Sequence, residues 1–345
     1  MVKTTLITGG AGFIGSNYAH RLLERGESVI LFDNLSRRGA NDNLEWLKKE
    51  YGNDSFQFIY GDIRNIEEIE TAAKSADVII HLAAQVAVTT SVTNPREDFE
   101  INALGTFNLL EAARKSGKQP IVIFASTNKV YGGLEDLRVL EDDTRYRLTD
   151  YPNGINEKRA LDFHSPYGCS KGCGDQYVRD YARIYQLPTV VFRQSCIYGT
   201  RQFGIEDQGW VAWFVIAAQL GKTISIYGDG KQVRDLLFIE DLLNAYDLAV
   251  SQIDHVTGEV FNIGGGMKST ISIWKEFKPI LEEIQQKEIL FEGFDWRPGD
   301  QKIYVSDTKK FQDATGWQTK IDIKEGVQRL NNWVKENIHF FKVNW

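Results

Sequence analysis

Apolar and polar positions alternate in blocks along the first half of the chain. "TTLIT" leads into "GFIGSNYAHRLLERG", "SVILFDN" into the polar "NDNLEWLKKE", and "FQFIYGD" into "IEEIETAAKSA". "DVIIHLAA" runs through a polar stretch into "FEINALGTFNLLEAARKSG", "PIVIFAS" follows, and "LPTVVFRQS" comes after a further helical pattern. Short Val/Ile-rich runs separated by stretches of helical period predict βαβ units, and therefore an α/β fold with a doubly wound parallel sheet. After Ser195 the alternation lapses into aromatics, glycines and charges, with "VFNIGGG" and "KEILFEGFDWRPGDQ" isolated between helices. The pattern thus predicts a sheet domain over residues 1–195, with a return segment near 232–265. A smaller lobe, mainly residues 196–345, is expected to close over the sheet's carboxyl edge. No linker rich in Pro, Gly or Ser separates the two, so they are expected to interleave in sequence.

Composition narrows the field. A chain of 345 residues with 42% hydrophobic and 12% aromatic residues can bury a large core and is not of disordered type. Its net charge of −7, without a basic block, argues against a nucleic-acid partner. The three cysteines, Cys169, Cys173 and Cys196, are too few and odd in number for a disulfide scaffold and suit a reducing compartment. Cys169 and Cys173 with nearby His164 form no completed metal site, so no metal is expected and packing is the simpler role. No run is apolar enough to span a bilayer, and "MVKTTLITGG" passes straight from a lysine into a strand and glycine turn. A soluble, cytoplasmic protein without a membrane partner is the expectation.

Candidate chemistry starts at "LITGGAGFIGSN", where Gly9, Gly12 and Gly15 stand as G-x-x-G-x-x-G between the first strand and first helix. Glycines let a backbone turn sharply against a pyrophosphate, whose charge sits at the helix N-terminus beside Phe13 and Ile14. Asp33 ends the second strand, where a carboxylate binds ribose hydroxyls and repels a 2′-phosphate. NAD is therefore favoured over NADP, although Arg37 and Arg38 weaken the inference. Asn34 and Ser36 flank that position. Asp62, followed by Ile63, ends the third strand in "YGDIR" and suits an adenine amino group. Leu82, Ala83 and Ala84 are small or apolar residues after the fourth strand, as a backbone lying against a cofactor requires, while His81 reads as a core histidine. In "HSPYGCSK", Ser165 suits an N-cap and Pro166 the first helical position. Tyr167 and Lys171 then share one helix face, and the ammonium is expected to lower the phenol's pKa so that it serves as a base.

With these residues, "GDIR", "HLAA" and "STNKVYG", the chain resembles the extended short-chain dehydrogenase/reductase family over essentially its whole length. That resemblance implies a Rossmann sheet and a tightly held NAD regenerated in each turnover. It also implies that Lys171 bonds the nicotinamide ribose and that Ser126 and Thr127 face the sugar or nicotinamide beside Tyr167. The later "VVFRQSCIYGTRQ", "GDGKQVRDLLFIEDL" and "RPGDQ" are similar to members acting on nucleotide sugars, with Arg234 and Arg297 as diphosphate ligands. Gln85, Asn128, Lys129, His164, Gln194, Arg201 and Gln208 are further candidate sugar contacts. Trp210, Trp213 and Phe214 read as core rather than as a base-stacking platform. Asn128 and Lys129 occupy the places where a 4,6-dehydratase needs an acid and a base. The resemblance therefore implies an epimerase, with inversion at C2 of a CDP-linked 3,6-dideoxyhexose placed first. The alternatives are a nucleotide-sugar 4-epimerase of UDP-hexose type and a non-catalytic NAD-binding sensor or scaffold. A homo-oligomer is expected.

Overall fold

The structure is a computed structural model that describes residues 3–297 and 300–342. Pro298 and Gly299 of the "RPGD" motif lie outside the described residues. The first five strands are β1 (Thr4–Thr8), β2 (Ser28–Asp33), β3 (Gln57–Tyr60), β4 (Val78–His81) and β5 (Ile121–Thr127). With Thr189–Gln194 and Val260–Ile263 they form a seven-stranded sheet in the order Val260–Ile263, Thr189–Gln194, β5, β4, β1, β2, β3. Pairs within β1–β5 run parallel, with Leu6 opposite both Ile30 and Ile79. Every residue of β4 is buried, as is β2 after Ser28. Strands covered on both faces must be apolar throughout, which is why they read as continuous Val/Ile/Leu runs. Leu6, Ile79, Leu109, Phe124, Val178 and Val191 belong to one fully buried cluster.

Strand order reverses direction at β1 and β4, and in open parallel sheets the crevice beyond the carboxyl ends at that point receives ligands. Gly9, Asp33, Leu82 and Thr127 all lie at those ends. Helix α1 (Phe13–Glu24) begins directly after the glycine turn, and no acidic residue occupies its first turn. The positive end of its dipole is therefore left for an anion.

Two units divide the chain. The first holds the residues up to Val130, Phe163–Arg193 and Leu243–Phe261; the second holds Tyr131–Asp162, Gln194–Leu242 and the residues from Asn262 on. The interleaving differs from the sequence expectation in two places. Residues 131–162 go with the second unit, because Tyr146, Val139 and Leu148 pack with Val233, Ile303 and Val305, and Ile155 bridges Ser306. The return segment is also shorter than 232–265. Val233–Phe238 pairs with Thr270–Ser272, Ile303–Tyr304 and Cys196–Tyr198 in the second unit's own sheet. Within that unit Trp210 meets Phe214 and Phe277 edge-on at 5.4 and 5.1 Å. Phe214 is buried, while Trp210 and Trp213 are partly buried, so the aromatic run serves packing.

Candidate active site

The glycine turn is tight for steric reasons. Gly9 has φ +68°, and a Cβ there would lie 2.8 Å from the Ala83 nitrogen; one on Gly15 would lie 2.4 Å from the Gly9 carbonyl oxygen. No side chain fits, and the turn rests against the Leu82–Ala83 backbone. This is the shape a cradle for a pyrophosphate requires. Asp33 braces it: Oδ2 accepts from the Ala11 N–H at 3.0 Å and Oδ1 from the Leu35 N–H at 2.8 Å. Burial pushes this carboxyl up, opposed by the N–H groups of Leu35, Ala11 and Gly12. Phe13, Ile14, Asn34, Leu82, Ala83 and Ala84 are partly buried, Ile63 is buried, and Ser36 and Arg37 are exposed. Asp62 departs from the adenine-binding expectation. The Arg64 guanidinium grips both its oxygens at 2.9 and 2.7 Å, Asn34 Nδ2 donates to it at 3.1 Å, and the carboxyl is held at about 2 chiefly by Arg64.

Tyr167 and Lys171 open the 21-residue helix Ser165–Tyr185. Ser165 takes a left-handed φ of 67°, and its Oγ accepts from the Gly168 N–H at 3.3 Å, a capping bond that satisfies one donor of the first turn. Tyr167 is 8% and Lys171 4% exposed, and the Lys171 Nζ sits 4.3 Å from the Phe124 ring centroid. Here burial overrides the expected charge effect. The Tyr167 phenol is pushed up to about 12 by desolvation, offset in part by the Thr127 hydroxyl, with the Asp98 charge adding to the rise. Desolvation pushes Lys171 down to about 7, against the pull of Asp175 and Asp98. Taking both groups out of water favours their neutral forms more than their proximity favours the charged ones.

The neighbouring hydroxyls divide their tasks. Both hydroxyls at the end of β5 meet the helix that carries Tyr167, Ser126 about two turns further along it than Thr127. Ser126 Oγ donates to Asp175 Oδ2 at 2.7 Å, and Asp175 receives the Arg193 fork at 2.9 and 2.8 Å. This corrects the expectation for Ser126: its hydroxyl is committed to a buried ion pair. Thr127 is the hydroxyl beside Tyr167; its Oγ1 accepts from the Lys129 N–H at 3.2 Å and donates to Asn128 Oδ1 at 3.3 Å. Asn128 and Lys129 begin the 3-10 turn Asn128–Tyr131. His81 is 1% exposed between Thr8 Oγ1 at 2.7 Å and Thr106 Oγ1 at 3.1 Å, and burial pushes it down to about 3, as suits a core histidine.

Gln85 also departs from its reading as a sugar contact. Its Nε2 donates to the Ala87 carbonyl at 2.9 Å and to Asp98 Oδ1 at 2.8 Å, and its Oε1 accepts from the Ala87 N–H. It belongs to a buried network of Asp98, Asn102 and Ser170 that sequence reasoning missed. The available signal was the pair Asp98 and Asn102, four apart in "EDFEIN". Both sit where no polar residue is wanted without partners.

In the second unit, Arg234 donates to Asp300 Oδ1 and to the Val233 carbonyl, each at 2.8 Å. Arg297 lies 3.1 Å from Asp207 and 3.7 Å from Glu206, with its guanidinium 3.8 Å from the Tyr227 ring centroid. Gln208 bridges Ile205 in the same loop. Arg201 has φ 68° and stacks 5.8 Å from the Trp333 ring centroid. Gln194 is buried at its strand's end, whereas His164 is exposed. Cys169 is exposed rather than packed, and no group of three His, Cys, Asp or Glu is placed to hold a metal among the described residues. Nor is any helix among them long and apolar enough to cross a membrane.

A family model described as GDP-mannose 4,6 dehydratase matches residues 6–330. The chain belongs to the extended short-chain dehydrogenase/reductase family. The CDP-paratose 2-epimerase of Salmonella typhi is 48% identical over 95% of this chain and 98% of its own. The dTDP-glucose 4,6-dehydratase of Streptomyces venezuelae, solved with NAD bound, superposes with a TM-score of 0.84 at 27% identity, covering 97% of this chain and 99% of that one. The UDP-glucuronic acid 4-epimerase of Bacillus cereus, in complex with UDP-glucuronic acid and NAD, gives 0.81 at 28% identity over 97% and 99%. Epimerases and dehydratases of nucleotide sugars thus surround this member of the family.

Proposed function

We propose that the chain is an NAD-dependent nucleotide-sugar epimerase that inverts C2 of a CDP-linked 3,6-dideoxyhexose, interconverting CDP-paratose and CDP-tyvelose. One observation carries the choice of reaction. Tyr167, Lys171 and Thr127 are assembled at the sheet's carboxyl edge, while Asn128 and Lys129 leave no acid–base pair for eliminating water. The similarity to a CDP-paratose 2-epimerase supports the choice of sugar.

The Gly9–Gly15 turn, which a single Cβ would fill, fits a dinucleotide pyrophosphate, and Asp33 fits an unphosphorylated adenosine ribose. NAD held there supplies the acceptor and donor for the C2 hydrogen, together with a positive ring charge. Tyr167 takes the proton from the sugar's 2-hydroxyl and later returns it. Lys171, in its protonated form, stabilises the phenolate, and Thr127 orients the phenol through its hydroxyl. The transient 2-keto sugar turns over and receives hydrogen on its other face, so no net redox change occurs. Arg234 and Arg297 offer planar guanidinium forks suited to the diphosphate.

Incubation with CDP-paratose, CDP-tyvelose and UDP-hexoses, followed by product separation, tests the assignment. Substrate deuterated at C2 is expected to give product still labelled at C2, and heavy water to give unlabelled product. Loss of the label to solvent would overturn the hydride route. Inversion at C4 would overturn the choice of sugar, and no turnover of any sugar would favour a sensor or scaffold.

A further inference from the structure

We propose that Asp98 is a positioning residue for the Tyr167–Lys171 pair, a buried carboxylate that ties their helix through Ser170 and sets a negative charge beside the residue next to Lys171. The proposal rests on the epimerase reading above and deepens it.

Asp98 lies on the short helix Pro95–Phe99 and is 1% exposed. Its Oδ2 accepts from Ser170 Oγ at 2.5 Å, and its Oδ1 accepts from Gln85 Nε2 at 2.8 Å and Asn102 Nδ2 at 3.1 Å. Asn102 sits on a π-helical turn, Glu100–Leu104, and the same Nδ2 also reaches Ser170 Oγ at 3.1 Å and the Gln85 carbonyl at 3.0 Å. Such turns are rare and mark places where a helix gives up regular bonding to present a side chain. Ser170 is the residue before Lys171 and contacts the Tyr167 carbonyl at 3.2 Å. The network therefore grips the backbone between the two functional side chains.

The charge needs a separate explanation. All three donors to Asp98 are neutral, and an amide would satisfy Gln85 and Asn102 as acceptor without the cost of burying a carboxylate. The charged and titratable groups around Lys171 supply the reason. Its own helix offers Tyr167 and Asp175, helix Pro95–Phe99 offers Asp98, β5 brings up the uncharged Phe124 ring, and β4 offers His81, which burial keeps neutral. Asp175 already faces the Arg193 fork from strand Thr189–Gln194. Asp175 and Asp98 thus both oppose the desolvation of Lys171, and Asp98 is the one of the two that neutral donors hold rather than an arginine.

The test follows the Lys171 13Cε resonance by NMR titration in the NAD-loaded full chain, assigned through Lys171→Met. Asp98→Asn keeps the shape and removes the charge. Its Lys171 midpoint is expected to fall by about one pH unit, and the alkaline limb of kcat to move down with it. Ser170→Ala removes the tether and leaves the charge, so it should lower kcat without moving the midpoint. An unmoved midpoint in folded Asp98→Asn protein overturns the proposal. If that variant is not recovered folded, Asp98→Ser, which leaves room for a water among the same donors, is read the same way. The titration needs no sugar. A shifted midpoint in a chain that epimerises nothing sinks the functional assignment and spares Asp98, whereas an active epimerase with an unmoved midpoint does the reverse.

Discussion

Replacing Arg193 by Met tests the ion pair beneath the candidate site. Arg193 and Asp175 are 4% and 0% exposed, and two charge-assisted bonds of 2.9 and 2.8 Å join them. Methionine retains most of the apolar stem but leaves the buried Asp175 carboxylate, among the described residues, to the donors Ser126, at 2.7 Å, and Gln176, at 2.8 Å. Breaking one side of a buried pair costs about 3–5 kcal/mol, because the remaining charge loses its hydrogen-bonded partner. Large chains lose about 2 °C of Tm per kcal/mol, which gives a fall of about 6–10 °C. Scanning calorimetry of the NAD-loaded protein is the assay, with Asp175→Leu/Arg193→Met as its control. Removing both charges should recover most of the loss, less about 1 kcal/mol for the Ser126 hydroxyl left without its acceptor. A single variant that falls by less than about 2 °C, or a double variant no better than the single, would refute the reasoning.

Further outcomes follow from the same geometry. Purified protein should release NAD on denaturation, and chromatography that finds NADP instead would contradict the reading of Asp33. Tyr167→Phe should keep its NAD but lose turnover by about 10²- to 10⁴-fold, measured by product separation. Thr127→Val should lower kcat with little change in Tm, while Ser126→Ala should lower Tm more than kcat; the opposite pattern would reverse their assigned tasks. His81 has a folded pKa near 3, depressed from an unfolded value of 6.5, so the unfolded chain binds the extra proton between those limits. Its contribution is present above pH 6.5 and is lost as pH falls towards 3, by at most about 1.4 kcal/mol per pH unit. Urea unfolding of His81→Gln against the parent should show a shallower acid decline.

The sheet was legible because its central strands are buried on both faces and therefore apolar without interruption, as in "VILFD" and "VIIH". The glycine turn was legible for a related reason, since only glycine tolerates contacts of 2.4–2.8 Å to backbone atoms. Residues 131–162 were misplaced because Tyr146 and Ile155 find their partners near residues 303–306, a pairing no local pattern records. Ser126 and Thr127 could not be separated without the contacts that commit one hydroxyl to Asp175 and bring the other to Tyr167. Gln85 and Asp62 looked available because a sequence does not show which polar atoms are already spent on Asp98 and Arg64. The Tyr167–Lys171 spacing was read correctly and its electrostatics in the wrong direction, because desolvation depends on the depth of burial, which spacing alone does not give.

The order in which the sheet's strands leave the ribosome also matters. Thr189–Gln194 is buried along its whole length, yet its outer neighbour Val260–Ile263 is synthesised only after a long stretch that belongs to the second unit. At ~5–20 residues per second, the nascent chain carries an unpaired apolar edge for several seconds. Such an edge is a template for pairing with another chain. The danger is greatest when many copies are made together, so yield of soluble protein should rise when translation is slowed before Thr189 rather than after it, and a chain cut short of Val260 should be captured by chaperones or aggregate even though every residue of its dinucleotide cradle is in place.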